Sequence, residues 1–212
     1  MDKSSSISSD SHSRSDLYFK VYGTTLEMLH DRGYKLNTED KELNYIEFSN
    51  RLEGNKINIT AYKDEDELNG IYVNYILNSK TFNKKDLQNL RTFIDENYPT
   101  KKMTVLIIVQ DKPTPQIAKE LLNDEYNLYE IFLTKMLMFN ITHHQIVPKH
   151  TILNEEDSKK ILDSFDATKN QLPKLLSTDP VAKYYGMKSG DICKITRNSP
   201  MTGESIYYRI VK

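Results

Sequence analysis

Hydrophobic residues recur at helical spacing over residues 15 to 33. They are Leu17, Val21, Met28 and Leu29, with Thr24 or Thr25 on the same face. Residues at this spacing share one side of a helix, so the pattern predicts a helix that begins at Ser15 or Asp16 and ends at Gly33. A second helix is predicted after Asn37 or Thr38. Its apolar set is Leu43, Ile46, Phe48 and Leu52.

Three strand patterns follow these helices. Residues 56 to 62 and 71 to 77 predict strands, and the acidic run from Asp64 to Glu67 between them is typical of a solvated loop. The run from Met103 to Val109 is almost continuously apolar. Such a run is typical of a central strand that is buried on both faces.

A third helix is predicted between the second and third strands. Asn83 is a suitable cap for it, and Pro99 marks its end. Its apolar positions are Leu87, Leu90, Phe93 and Ile94. The alternation of helices and strands predicts an α/β domain over residues 15 to 138. Residues 139 to 150 lack helical periodicity and are expected to lead into a second domain.

Turn and cap residues dominate the last third of the chain. Asp179 before Pro180 is typical of a helix start, because the carboxylate accepts from free N–H groups and proline needs no donor there. Gly186 suits the left-handed residue that ends this short helix. Beyond the turn at residues 190 and 191, alternating patterns predict strands at residues 192 to 197 and 205 to 212. The last strand is expected to tie the C-terminus into a sheet.

Composition excludes several classes of protein. The 212 residues suffice for two small domains with separate cores, and the formal net charge is −1. That balance argues against a protein that binds nucleic acid on its own, because sequence-independent affinity scales with cations placed on phosphates. The single cysteine, Cys193, excludes an intrachain disulfide and is predicted to be buried.

Two further expectations concern location and the N-terminus. No apolar run is long enough to span a bilayer, and residues 1 to 14 lack the hydrophobic segment of a secretory signal. We therefore expect a reducing intracellular compartment and no membrane partner. Residues 1 to 14 are rich in Ser and charged residues, so they predict a flexible tail that buries too little apolar surface to become ordered.

Candidate catalytic residues form no complete set. His143, His144 and His150 lack a cysteine or carboxylate cluster, so we interpret them as hydrogen-bonded groups at a domain junction and not as metal ligands. The sequence has no nucleophile elbow, phosphate-binding glycine loop or paired-histidine zinc motif. We predict no catalytic residue, no metal and no cofactor. Tyr184 and Tyr185 are predicted to contact a partner, because tyrosine combines apolar area with a polar tip.

Short strings in the last part of the chain resemble one known family. They are NITHH at 140 to 144, VPKH at 147 to 150, QLP at 171 to 173, DPVAKYYG at 179 to 186, Gly190, Arg197 with Ser199, Gly203, and YR at 208 to 209. In this order they resemble the C-terminal assembly domain of the shared fifth subunit of eukaryotic nuclear RNA polymerases, whose archaeal counterpart consists of this domain alone. One departure is visible. The family has Arg-x-Ser-Glu-Thr-x-Gly where this chain has Pro200, Met201 and Thr202 before the glycine.

The resemblance implies a small α+β assembly domain with a mixed sheet over residues 139 to 212. It also implies docking on the largest polymerase subunit, next to neighbouring small subunits. The implied docking residues are His144, Pro148, His150, Gln171, Pro173, Asp179, Pro180, Tyr184, Tyr185, Gly186, Arg197, Tyr208 and Arg209.

The string LEMLHDRGY at 26 to 34 resembles the first helix of the same family's N-terminal jaw domain, an α/β domain similar to restriction endonucleases. That family often has a Trp near the helix start, whereas this chain has none, and Tyr18 or Phe19 is expected to fill the space. The resemblance implies that a Thr-Pro loop faces downstream duplex DNA. The implied DNA-proximal residues are Lys112, Thr114, Pro115 and Lys119. From the residues alone, Thr before Pro is more often a simple helix cap.

A nuclease activity is not expected despite the similarity of fold. Such enzymes place an Asp and an Asp/Glu-x-Lys triplet around magnesium. Outside the N-terminal tail, that triplet spacing occurs at Glu39 with Lys41 and at Asp157 with Lys159, both in polar stretches predicted to be helical. The strand that ends at Leu77 is followed by Asn-Ser-Lys and so lacks the carboxylate.

The resemblance therefore implies a non-catalytic structural subunit of a DNA-dependent RNA polymerase, with its first domain in the lower jaw beside downstream DNA. A free-standing DNA-binding or degenerate nuclease-like protein is the main alternative, and an adaptor without DNA contact is a third. Lys outnumbers Arg, and Asn, Ile and Tyr are plentiful, which fits an A/T-rich protist or a large DNA virus. The expected location is the nucleus for the former and a cytoplasmic viral factory and the virion for the latter.

Overall fold

The computed structural model describes residues 4–63, 70–77, 79, 81–99, 103–124, 127–199 and 203–212. The chain divides into two compact units, Met1–Phe139 and Asn140–Lys212. The sequence predicts a boundary between residues 138 and 139, and the two units divide between residues 139 and 140. The acidic run at 64 to 67 and the altered loop at 200 to 202 lie outside the described residues.

The first unit is built on a four-stranded sheet. Its helices are α1 (Ser4–Asp31), α2 (Thr38–Lys41), α3 (Tyr45–Glu53), α4 (Lys84–Asn97) and α5 (Pro115–Leu122). Its strands are β1 (Ile59–Tyr62), β2 (Gly70–Tyr75), β3 (Met103–Val109) and β4 (Leu128–Leu133), in the spatial order β1-β2-β3-β4. The first pair is antiparallel and the others are parallel. This arrangement confirms the predicted α/β class and the central, buried position of β3.

Helix α1 is longer than its apolar pattern predicts. It begins at Ser4, and Arg14 donates a hydrogen bond from Nη2 to the Leu77 carbonyl at 2.6 Å. Residues 4–14 of the segment expected to be a flexible tail belong to this helix, since extending an existing helix costs far less than nucleating one. Residues 1–3 lie outside the described residues. At its other end Gly33 has φ 84°, as predicted for the residue that closes the helix. Tyr18 is fully buried in the core.

The single helix predicted after Asn37 or Thr38 is in fact two helices, α2 and α3. The Asn44 side chain accepts a hydrogen bond from Glu47 N at 2.9 Å and so starts α3 anew. Phe48 is fully buried, whereas Ile46 is 73% exposed. The apolar set therefore belongs only partly to the core.

The sequence predicts helix α4 but not strand β4. Asn83 accepts from the backbone N–H groups of Lys85 and Asp86, and the Asp86 side chain accepts in turn from Asn83 N, which confirms the predicted cap. The sequence pattern does not predict β4, because Leu128 is 40% exposed and the strand is only partly buried at its start. Arg32 Nη2 lies 2.8 Å from Glu130 Oε2 and links the end of α1 to this strand.

The second unit is a small sheet covered by short helices. Its elements are β5 (Lys149–Ile152), α6 (Glu155–Ser164), β6 (Lys174–Leu175), α7 (Pro180–Tyr184), β7 (Ile192–Ser199) and β8 (Gly203–Val211). The spatial order is β5-β7-β8-β6, and only the β6–β8 pair is parallel. The predicted α+β domain with a mixed sheet is confirmed, and β8 ties the C-terminus to two neighbours.

The core of the second unit lies between α7 and one face of its sheet. Its buried residues are Leu175, Ala182, Met187, Cys193, Ile195 and Val211. Burial raises the pKa of the Cys193 thiol to about 11. The predicted burial of this cysteine is confirmed by its 1% exposure, and its high pKa keeps it a neutral, poorly reactive thiol. None of the helices in the described segments is both long and apolar enough to cross a bilayer.

Candidate docking groove

Helix α7 is fixed at both ends by the residues that the sequence singled out. Asp179 Oδ1 accepts from Val181 N at 2.8 Å and from Ala182 N at 3.4 Å. Gly186 has φ 64° and donates its N–H to the Lys183 carbonyl at 2.9 Å. Both predicted caps are confirmed. Because Ala182 is fully buried, the caps also fix how α7 packs on the sheet.

Tyr184 is an internal residue of this unit. Its side chain is 3% exposed, and its hydroxyl accepts from Asn140 Nδ2 at 2.9 Å. The Tyr185 ring packs edge-on against it, with centroids 5.2 Å apart. Tyr184 therefore exposes almost no surface, and its polar tip is satisfied inside the unit, while the partner contact expected of it stays a prediction.

Asn140 organises the start of the second unit, and sequence reasoning did not single it out. It is buried, and its Oδ1 accepts from Thr142 N at 2.9 Å and from Thr142 Oγ1 at 2.6 Å. Its amide group also bonds Tyr184, so one side chain joins two distant segments. The signal was present in the string NITHH, because Asn before a short turn is a common cap.

A groove of about 550 Å³ opens beside α7 on the sheet. Its lining is formed by Ile146, Val147, Pro148, His150, Leu175, Asp179, Val181, Ile195, Arg197, Tyr207 and Arg209. The groove thus brings together many of the implied docking residues, namely Pro148, His150, Asp179, Arg197 and Arg209. We refer to it as the α7 groove.

Strand register explains why these residues meet. Ile195 pairs with His150 of β5 and with Tyr207 of β8, while Cys193 pairs with Arg209. Directly paired residues share a sheet face, so all of these side chains point to the side that carries α7. Arg197 has the same parity as Ile195 and lies at the end of this face.

Other implied docking residues have different positions. Tyr208 alternates with Tyr207 and lies on the opposite face, where its ring centroid is 5.9 Å from that of Phe165. Gln171 Oε1 accepts from Thr168 N at 2.7 Å and closes a 3₁₀ turn. The Pro173 carbonyl accepts from Ile210 N at 2.9 Å. His144 Nδ1 accepts from Ile146 N at 3.2 Å.

Charges around the α7 groove are predominantly positive. In the described part of the chain Arg197 forms no ion pair, and Arg209 uses Nη1 to donate to the Lys174 carbonyl at 3.1 Å. Asp179 is the one carboxylate among the described residues of the lining, and its Oδ1 is engaged by α7. His150 Nδ1 lies 2.7 Å from the Pro148 carbonyl, so this nitrogen carries the proton and donates it.

The Thr-Pro loop of the first unit is exposed at the carboxyl end of β3. Lys112, Thr114, Pro115 and Lys119 are all exposed. Helix α5 begins at Pro115 as predicted, but the Thr114 side chain makes no capping hydrogen bond. The simple cap interpretation is therefore wrong for the Thr114 hydroxyl, and only its backbone carbonyl starts the helix.

The described residues show neither a metal-binding cluster nor an Asp/Glu-x-Lys triplet on a strand. Those residues contain no group of three or more His, Cys, Asp or Glu that could hold a metal ion. Glu39 with Lys41 lies in α2, and Asp157 with Lys159 lies in α6, so both triplets are helical as predicted. The tripeptide after β2 includes residues 78 and 80, which lie outside the described segments.

Comparison with protein families matches both units. The description "RNA polymerase Rpb5, N-terminal domain" matches residues 12–97, and "RNA polymerase Rpb5, C-terminal domain" matches residues 139–211. An α/β unit followed by an α+β unit of these families defines a two-domain RNA polymerase subunit. The chain belongs to the RNA polymerase Rpb5 family.

Curated relatives agree along nearly the whole chain. DNA-directed RNA polymerases I, II, and III subunit rpabc1 of Dictyostelium discoideum is 32% identical over 196 residues, which cover 90% of this chain and 95% of the relative. DNA-directed RNA polymerase subunit 5-like protein 1 of Arabidopsis thaliana is 31% identical, with 90% and 93% covered. RPABC1 of Caenorhabditis elegans is 28% identical, with 91% and 94% covered.

Proposed function

We propose that this chain is a non-catalytic structural subunit of a multisubunit DNA-directed RNA polymerase and that it docks on the largest subunit through residues 140–212. The observation that carries the proposal is the α7 groove. It places Pro148, His150, Asp179, Arg197 and Arg209 on one face of the unit that matches the Rpb5 C-terminal domain. A preformed surface of this kind supports assembly, since the residues need no reordering to bind.

We further propose that the first unit lies in the lower jaw and meets downstream duplex DNA through its Thr-Pro loop. The exposed cations Lys112 and Lys119 flank a helix start whose Thr114 hydroxyl makes no cap bond. Helix N-termini bind phosphate through free N–H groups, which supports this position for the DNA backbone. The net charge of −1 limits such binding to the assembled polymerase.

The location follows from the assembly. The Dictyostelium relative is named for polymerases I, II, and III. We propose the nucleus for this chain, with a cytoplasmic viral factory and virion as the alternative for a viral source. Tagged chain visualised together with the largest subunit would distinguish the two locations.

Affinity purification tests the proposal directly. Tagged chain should retain the largest polymerase subunit through a high-salt wash, together with neighbouring small subunits identified by mass spectrometry. Purified chain alone should neither bind duplex DNA at physiological salt nor cut it with magnesium. Binding or cleavage by the isolated chain, with no polymerase subunit retained, would favour the free-standing DNA-binding or nuclease-like alternative.

A further inference from the structure

The α7 groove has an apolar centre with a guanidinium at each end. Paired positions on its sheet face run from Arg197 opposite Ser205, through Ile195 opposite Tyr207, to Cys193 opposite Arg209. Ser205 and Arg209 are four residues apart on β8, which is about 13 Å at ~3.3 Å per residue. The two arginines therefore mark the two ends of a strip with Ile195 and Tyr207 between them.

Ile195 of this strip is buried in the core, but two other apolar side chains of the groove are poorly covered by the unit itself. Tyr207 is 53% exposed, and Ile146 on the neighbouring segment is 82% exposed. Both residues line the groove together with Val181 and Leu175 of the α7 side. Exposed apolar side chains that converge on one concavity are typical of a surface that a partner covers.

The charges at the two ends of the strip favour a partner that carries carboxylates. Among the described residues neither Arg197 nor Arg209 pairs with a carboxylate. Asp179 stands between the groove and α7, where its Oδ1 is held by two helix N–H groups. Guanidinium groups bind carboxylates through paired hydrogen bonds, and they lose little on leaving water for such a contact.

We propose that the α7 groove binds an extended acidic segment of the largest subunit, in which two carboxylates about four residues apart flank apolar side chains. One carboxylate pairs with Arg197 and the other with Arg209, while the apolar residues between them cover the exposed side chains of Tyr207 and Ile146. An extended chain advances ~3.3 Å per residue, so four residues span the distance between the arginines. This inference rests on the proposed docking function and adds the chemistry of the docked segment.

A peptide fits this groove better than a nucleic acid does. Phosphate backbones are bound by rows of cations with little apolar contact, whereas this strip has an apolar centre. The Asp179 carboxylate in the lining also repels phosphate, while a peptide can place its own N–H groups there. Duplex DNA would bind the same arginines only if the apolar centre contributed nothing to binding.

Charge reversal in the full chain tests the proposal. Arg197→Glu and Arg209→Glu should each weaken the affinity for the co-expressed largest subunit by about tenfold, since a like charge faces each partner carboxylate. The double variant should be weaker still and should lose most of the salt dependence of binding. Lys188→Glu is the matched control, because Lys188 is exposed on the same unit but does not line the groove.

The outcomes separate this inference from the proposed function. If wild-type chain fails to retain the largest subunit, the docking function itself is overturned. If wild-type binds and the double arginine variant binds equally well with an unchanged salt slope, only the acidic-segment inference is overturned. Duplex DNA binding by the isolated chain that is abolished by the same two changes would also overturn it.

A charge swap guards against misfolding of the variants. Cross-linking of the wild-type assembly identifies the acidic residues of the largest subunit that lie against residues 197 and 209. Changing the one nearest residue 197 to Arg should restore binding of Arg197→Glu and weaken binding of the wild-type chain. No rescue, together with thermal unfolding of Arg197→Glu identical to wild type, contradicts the proposed pairing.

Discussion

Single side chains decide how the start of the second unit packs. Asn140 forms hydrogen bonds with both Thr142 and Tyr184, although these partners are 2 and 44 residues away along the chain. Sequence patterns reveal the near contact, because local caps have fixed spacing. They cannot reveal the distant one, since nothing in the order of residues says which hydroxyl a buried amide will meet.

Removing the Asn140 amide should destabilise the protein. Asn140→Ala deletes the donor to the buried Tyr184 hydroxyl, and such losses cost about 1–3 kcal/mol. Tyr184→Phe removes the other partner. The double variant should lose less stability than the sum of the single variants in urea unfolding. Strict additivity would show that the two side chains are not coupled.

The thiol of Cys193 should contribute to alkaline destabilisation. Its folded pKa of about 11 lies above the ordinary thiol value of 9.0. The unfolded chain therefore releases this proton first, so the free energy of unfolding falls as pH rises from about 9 to about 11. The thiol's contribution is fully present below about pH 9.

Comparison with Cys193→Ala isolates this effect from tyrosines that also titrate at high pH. The wild-type protein should lose more stability than the variant between these pH values, on the order of 1–2 kcal/mol. Native Cys193 should also resist alkylation at about pH 8, where a thiol of such high pKa stays protonated. Equal pH profiles for the two proteins, or rapid alkylation, would argue against a buried, neutral thiol.

Helices and strands are predicted correctly where clear local signals, such as cap residues or a continuous apolar run, mark them in the sequence. Asn83, Asp179 and Gly186 each mark a helix end that the structure confirms, and the apolar run of β3 is the central strand. Strand β4 escapes prediction because its residues are half exposed at the start, which removes the periodic signal. Helix α3 merges with α2 in the sequence pattern because spacing alone does not reveal that Asn44 restarts the helix.

The groove could not be predicted as a surface. Its residues were implied individually by a resemblance, but their meeting depends on the register between β5, β7 and β8. A shift of one residue would move Arg209 to the opposite face and bring Tyr208 into the groove. Strand alternation places Tyr207 and Tyr208 on opposite faces. Register between distant strands is a property of the folded sheet, so the sequence alone did not show which of these faces carries the groove.

The cap of α7 should matter for docking as well as for stability. Asp179→Ala removes the acceptor for two helix N–H groups and should cost about 1 kcal/mol. The same change should weaken retention of the largest subunit, because α7 forms one wall of the groove. Asn154→Ala is the control, since Asn154 caps α6 by accepting from Asp157 N at 2.7 Å. Equal effects of both variants on retention would contradict a specific role of α7.

The whole molecule combines two units with separate proposed tasks. Lys112→Glu with Lys119→Glu should shorten the lifetime of open complexes on templates with downstream duplex, without loosening subunit assembly. Each lost phosphate contact should lower the salt slope of DNA binding by about 1. Lys84→Glu in α4 serves as a matched surface control. If the double lysine variant forms open complexes with an unchanged lifetime, the Thr-Pro loop does not contact downstream DNA.

Lysine cross-linking within the purified polymerase tests the central claim most directly. If residues 140–212 dock on the largest subunit, Lys149, Lys174, Lys183 and Lys194 should cross-link to it. The account is contradicted if the assembled polymerase contains the chain but these lysines link only to other subunits, while lysines of residues 14–138 link to the largest one.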